Sequence, residues 1–410
     1  MSTKLPPELL NVRDAAKRAL GTLTPAGKPE SDAEARGLML SSRTEAGHAL
    51  PEYYLIYFLL VDLLDFPHIG RGEKTAWTVP VRINERLYGI EHAKFGVGVF
   101  APTLDPSATR SGKPSDQAES DAKEIVALMR RAVIAAEPYF EWRAENAAKG
   151  INLNVTNRSN WLFGRFAYFR DQYHSLQAAH EKAQSDRKAE LERKRAEEGR
   201  ISLSEAFIFG AGGSVRSEDA EWCGQAAIDA FFSWTEHVFI HVGILQGRVG
   251  TGEEVASLAD SDWKSKFKAA LDLADATTKK HYDALVQLRA QVRNFMAHGA
   301  FGKRGEAFKF HSGAGAVPVL LTGRQRHKFA FTGKPAFSEG EALHQIEKFI
   351  EHLWTGARLP AKLYIESDIP TILSYVADGT YAKAMASESE MNSFLEHLHY
   401  QFDAATNMDW

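Results

Sequence analysis

Apolar positions recur along most of this chain at intervals of three and four, the period of an amphipathic helix. The plainest case is the stretch 277–298, where Leu285, Leu288, Val292 and Phe295 follow a 3-4-3 spacing and define one core seam. Similar patterns predict helices over 8–20, 120–148, 160–198, near 261–275 and over 339–357, with a mostly helical C-terminal segment. Two runs are apolar beyond a single stripe. YYLIYFLLVDLLDF (53–66) is interrupted by Asp62. It falls short of the ~20 residues that span a bilayer, so it reads as a buried core helix. DAEWCGQAAIDAFFSWTEHVFIHVGILQG (219–247) is apolar almost all round. Such a helix is buried on more than one side, either at the centre of a bundle or shared between its own domain and a partner subunit.

Residues 75–101 break the helical period. β-Branched and aromatic residues are dense there and Asn84-Glu85 offers a turn, so two or three antiparallel strands are predicted. Gly96 and Gly98 fit a bulge or tight bend; no phosphate-loop pattern surrounds them. FKFHSG, VPVLLTG and HKFAFTG within 300–333 read as short strands with turns. Residues 102–120 read as a loop, and the mixed charges of 180–200 as a solvated helix laced with i,i+4 pairs. Glycines cluster in FIFGAGGSVRSED (207–219), which places a domain boundary between about 200 and 218. The expected fold is mainly α. Residues 1–205 form an N-terminal α/β domain of unassigned role, a sensor or docking module. Residues 206–410 form a helical domain with a small β insertion.

Composition narrows the class. The chain has 410 residues, 44% apolar, and a formal net charge of -4. Without a global basic excess, any nucleic-acid contact rests on a local patch. The single cysteine, Cys223, excludes an internal disulfide framework and a Cys-cluster zinc site. It lies in an apolar stretch and reads as a buried, inert thiol. No signal-peptide pattern opens the chain. The expectation is a soluble cytoplasmic protein without a membrane span, in which the sequons at Asn154 and Asn157 carry no meaning.

Candidate chemistry concentrates in QVRNFMAHGA (291–300). Asn294 and His298 are four residues apart and share a helical face that points away from the core seam. Arg293 lies on the seam's other flank, about 140° from His298 in a regular helix. These residues have a purely structural reading. A cation near a helix C-terminus is favoured by the macrodipole, by roughly 0.3–1 kcal/mol, and Gly299 suits the position just past the end.

RNFMAHG also resembles the R-x4-6-H motif of the HEPN superfamily, in which the Arg is often followed by Asn and the His ends the third helix of a short bundle. Arg293, Asn294 and His298 match, and the resemblance covers roughly 215–357. The β insertion at 300–333 departs from the pattern. What the resemblance implies is a HEPN-like helical bundle acting as a metal-independent endoribonuclease with no cofactor, cutting single-stranded RNA or tRNA. Two protomers would pair so that both Arg-His sets line one groove. His298 would act in proton transfer, Arg293 would hold the scissile phosphate, and Asn294 would orient His298 or the RNA backbone. The 2′-OH would attack, leaving a 2′,3′-cyclic phosphate and a 5′-OH. Many relatives are toxins or antiphage defence effectors, so a regulatory or antitoxin protein is a further expected partner. The rival is a non-catalytic HEPN-like module that binds a nucleotide or a protein.

Neighbouring residues bear on the same site. Arg289, one turn before Arg293, together with Lys303 and Arg304, forms either a basic patch for RNA phosphates or ordinary surface charge. Glu236 falls within the apolar helix and needs a partner if buried. Arg293 is the natural candidate, in a catalytic setting or a plain salt bridge. His237 and His241 share a helical face, but HVFIH lacks the Glu of HExxH and no third ligand is evident. His327, His344 and His352 have no readable partner. Trp161, Phe163, Phe166, Tyr168 and Phe169 occur at helical spacing and read as core, with base stacking as the alternative.

Overall fold

The computed structural model describes residues 5–26, 32, 41–102, 114–198, 218–298, 309–313, 315–318 and 338–408; for 41, 191, 195, 198, 293–298, 309–312 and 315–318 only the backbone is described. The protein is mostly helical with a small antiparallel sheet. It divides into two compact units, 1–149 with 396–410, and 150–395.

In the first unit, strands β1 (Thr24–Pro25), β2 (Ser41–Arg43), β3 (Thr75–Ile83), β4 (Arg86–Ala93) and β5 (Gly96–Pro102) form an antiparallel sheet in the order β1-β3-β4-β5-β2. Asn84 and Glu85 both take positive φ, 49° and 61°. That is the turn whose twist matches the strands it joins, and it sets the register Ile83↔Arg86. Gly96 (φ 95°) reverses the chain into β5. Gly98 leaves room for the Arg43 side chain, since a Cβ there would sit 2.8 Å from Arg43 Nε. Arg43 in turn donates to the carbonyls of Phe95 and Val97. One sheet face carries Val79, Val81, Ile83, Tyr88, Ile90 and Val99. It packs in a core with helices α1 (Leu10–Leu20) and α3 (Asp116–Ala135) and with the run that contains Ile56, Leu59 and Leu60.

That run is helical, α2 (Tyr53–Tyr57), and continues as a wider π-helical segment over Phe58–Leu63. Its polar interruption, Asp62, meets Arg143 at 2.8 Å. Among the described residues no helix is long and apolar enough to cross a membrane. The helix expected over 120–148 is two helices, α3 and α4 (Glu137–Lys149). Pro138 lacks the N–H that would continue the first. Asp121 of α3 is buried, yet it accepts from Arg86 Nε and Nη2, Tyr88 Oη and Gln117 Nε2. Arg86, first among these donors, holds its carboxyl far below the usual carboxylate range.

The second unit is built around α6 (Glu218–Leu245), buried along nearly its whole length. The unit also contains α5 (Ser159–Glu198), α7 (Gly252–Asp260), α8 (Trp263–Ala270), α9 (Ala276–His298) and α10 (Glu339–Leu353). Helix α5 lies antiparallel to α6, with Phe163 against Trp234 and Phe166 against Phe231. Helix α8 packs through Phe232–Trp263 and Phe239–Phe267, and α10 through Phe349. Of the two settings expected for this apolar helix, the unit itself supplies the first, the centre of a bundle. Gly224 lets α10 approach: a Cβ there would lie 2.8 Å from the Cβ of Glu339.

The chain divides at 149/150 rather than between 200 and 218, because α5 belongs with α6. A glycine-rich stretch marks the end of the helical period, and such a stretch can join two helices of one bundle as readily as two domains. The exposed charged end of α5 carries the expected i,i+4 contact, Glu190–Lys194 at 3.6 Å. Asn157 is buried at the start of α5. Its Oδ1 accepts from Ser159 N, and its Nδ2 donates to the carbonyls of Ile365 and Ile369. Strands β6 (Asn154–Val155) and β9 (Thr371–Ile372) pair beside it. In the expected β insertion, β7 (Lys309–Ser312) and β8 (Gly315–Pro318) form a hairpin; HKFAFTG lies outside the described residues.

Candidate active site

Helix α9 is well defined at its start. Asp275 accepts from the backbone N–H and the hydroxyl of Thr278, and both bonds hold its carboxyl below the ordinary value. Thr278 Oγ1 is 2.8 Å from His352 Nε2 of α10, and the His281 and His352 rings stack at 5.0 Å. Leu285, Leu288 and Val292 are buried, as their spacing predicts. The helix runs to His298 as its last residue. The side chains of Arg293, Asn294, Phe295 and His298 lie outside the described residues, as do Lys303 and Arg304 entirely. On the backbone alone, Arg293 continues the face of Arg289, and His298 falls about 140° away from it.

One turn before the motif the side chains are described, and there Glu236 has two cationic partners. Its carboxylate is bound by Arg289 Nη2 at 2.6 Å and by Lys266 Nζ at 3.0 Å. Arg289 reaches it because Glu236 faces α9 one helical turn before the motif. The Arg289 guanidinium also lies over the rings of Phe232 and Trp263, at 5.6 and 5.8 Å. Its charge is therefore engaged by a carboxylate and two rings, which leaves it a poor member of a free phosphate patch. Lys266 was not anticipated from the sequence. It has a legible signal, since it flanks the seam Trp263–Phe267–Ala270 of a short helix, a place where a lysine is buried. Its side chain is only 7% exposed.

This cluster has a measurable consequence. Glu236→Gln leaves the Lys266 ammonium buried with no anion. Breaking a buried pair costs about 3–5 kcal/mol, and the partial exposure of Glu236 brings the expected loss to roughly 2–3 kcal/mol. Urea unfolding of wild type and variant would reveal it. An unchanged midpoint with an unchanged slope would mean that Lys266 finds another partner without cost.

His237 and His241 lie deeper in α6. His241 is fully buried, with Nδ1 3.0 Å from Thr371 Oγ1 and Nε2 3.1 Å from His237 Nε2. His237 Nε2 also accepts the backbone N–H of Arg158 at 2.9 Å. Burial first, and then the Arg158 charge, lowers the His237 pKa to about 4. Burial first, and then His237, lowers that of His241 to about 3. Both rings are neutral at pH 7 and act as a buried hydrogen-bonded clasp between α6, the start of α5 and β9. No cluster of three or more metal-ligating side chains occurs among the described residues. Cys223 is half-buried. His344 has no described partner, and His327 lies outside the described residues.

Comparison with protein-family models, with curated proteins and with solved structures finds no match for this chain.

Proposed function

We propose that the second unit is a HEPN-like, metal-independent endoribonuclease that cuts single-stranded RNA or tRNA. The observation that carries this reading is the placement of Arg293-Asn294-x3-His298 on the final turns of α9. That helix is anchored to α10 at its start and to α6 through Glu236–Arg289 one turn before the motif. Cutting would proceed by attack of the 2′-oxygen on the adjacent phosphorus, with departure of the 5′-oxygen. His298 moves the proton, Arg293 holds the phosphate charge that develops, and Asn294 orients one or the other. Because about 140° separates Arg293 from His298 on one helix, the site is completed by a second protomer whose α9 meets the first near a dyad. Lys303 and Arg304 follow the motif and add charge for RNA.

The test is incubation of the purified protein with total tRNA and an unstructured RNA in excess EDTA, beside Arg293→Ala and His298→Ala. Cleavage by the wild type alone, with cyclic-phosphate ends, supports the reading. Equal cleavage by all three proteins would sink it.

A further inference from the structure

The aromatic run of α5 divides into two sets. Phe166 is buried and Phe163 packs on Trp234, as core spacing predicts. Trp161 and Tyr168 are 68% and 61% exposed. Single exposed rings are ordinary, and they become informative where two recur on one face beside matched charge.

Trp161 and Tyr168 are seven residues apart, so they lie on nearly one line along α5, about 10.5 Å apart along the axis. Gly164 sits between them and is exposed, with nothing within 4 Å of where its Cβ would be. It makes a notch between the two rings. Arg158 and Arg165 are also seven apart and about 40–60° round the helix from Trp161. Arg158 is exposed and opens the first turn, its carbonyl accepting Leu162 N–H. Two parallel rows result, one of rings and one of guanidinium groups, with the same step.

We infer that this face of α5 is a stacking surface for single-stranded nucleic acid, and specifically for an RNA strand. Stacked bases repeat at about 3.4 Å along a strand, so the step of about 10.5 Å along the axis between the two positions matches the length of two bases stacked between one ring at each end. The phosphates then run beside the bases, along the row of Arg158 and Arg165. Arg165 lies 3.9 Å from Asp229, with both side chains well exposed. Such a surface pair is weak enough for a phosphate to displace. A protein-binding patch, by contrast, is contiguous and apolar at its centre. Here a glycine notch interrupts the rings and a charged row flanks them. The choice of RNA over DNA rests on the ribonuclease reading; stacking itself does not depend on it, because every base has a π-face.

The experiment measures binding with full-length protein carrying His298→Ala, so that RNA stays intact. The probes are a fluorescein-labelled 12-nucleotide single-stranded RNA and the DNA of the same sequence. Trp161→Ala and Tyr168→Ala should each weaken RNA binding by about 5- to 150-fold, the worth of one base–ring stack. Trp161→Phe should restore most of the Trp161→Ala loss, and Arg165→Ala should flatten the salt dependence by about 0.7 of a log–log unit. Unchanged affinity in both alanine variants overturns the proposal, as does failure of the parent protein to bind either strand. So does a fall in sedimentation mass for Trp161→Ala with RNA affinity intact, which would make the face a self-association surface. Tighter binding to DNA than to RNA would overturn the choice of RNA. Failure of the ribonuclease reading looks different: ring-dependent binding with no His298-dependent cleavage.

Discussion

His298→Ala is expected to lower the rate of RNA cleavage by about 10²–10⁴-fold, the usual contribution of a positioned proton-transfer group. Arg293→Ala should cost about 10²–10³-fold, as loss of a group that stabilises charge on the phosphate does. Arg293→Lys should recover only part of this, because an ammonium cannot bind a phosphate in the forked geometry of a guanidinium. The two alanine variants combined should lose little more than the worse of them, since residues acting on one phosphate act as a unit. Histidine is the right group for this work because its ordinary pKa, about 6.5, supplies both protonation states near neutrality. If His298 serves only as a helix terminus, the expectation differs. The variant would then lose about 1 kcal/mol of stability or less and no activity. Measuring rate and unfolding midpoint on the same preparations separates the two.

A second large effect is acid unfolding of the 150–395 unit. In the unfolded chain His237 and His241 titrate near 6.5. Folding holds them at about 4 and about 3, chiefly through burial. Below pH 6.5 the unfolded state therefore binds more protons than the folded one, and stability falls as pH falls. The stabilising contribution is complete above the unfolded value and is lost progressively from about pH 6.5 down to about 4 for His237 and about 3 for His241. Each histidine contributes a slope of up to about 1.4 kcal/mol per pH unit. Because the two rings are hydrogen-bonded to each other, their protons belong to the pair rather than to either ring. His281 and His352, also lowered by burial first, act in the same direction. The depressed carboxyls of Asp275 and Asp378 act in a more acidic window, below about pH 4. Urea midpoints at pH 7.5, 6.0 and 5.0 should fall steeply for the wild type. They should fall less for His241→Asn, which keeps a polar group near Thr371 but cannot titrate. A wild-type midpoint that stays level down to pH 5 would show that the clasp already carries a proton when folded.

The two effects are separable by their pH signatures. Cleavage that depends on His298 reports chemistry in the folded state, whereas the buried pair stays neutral there and acts only through unfolding at acid pH. A preparation assayed at pH 5 without a parallel unfolding curve would confuse them.

Much of this molecule was legible locally. Turn chemistry placed the β3–β4 hairpin, because Asn84 is among the residues that tolerate a left-handed backbone. The 3-4 spacing of Leu285, Leu288 and Val292 identified the buried side of α9. What periodicity could not separate was two aromatics bound for the core from two bound for solvent. Phe163, Phe166, Trp161 and Tyr168 all lie on one helix, and only the position of α6 decides which face is covered.

By itself, then, the sequence determined most of the helices, the β3–β4 hairpin and the place of Arg293 and His298 near the end of a helix. Each of these follows from contacts and dihedral preferences within a few residues. Tertiary structure alone decided that α5 belongs with α6, that Glu236 meets Arg289 and Lys266, and that two histidines are neutral beneath the start of α5. Those outcomes depend on which faces meet across tens or hundreds of residues, and a helical period says which side of a helix is apolar without saying what will cover it.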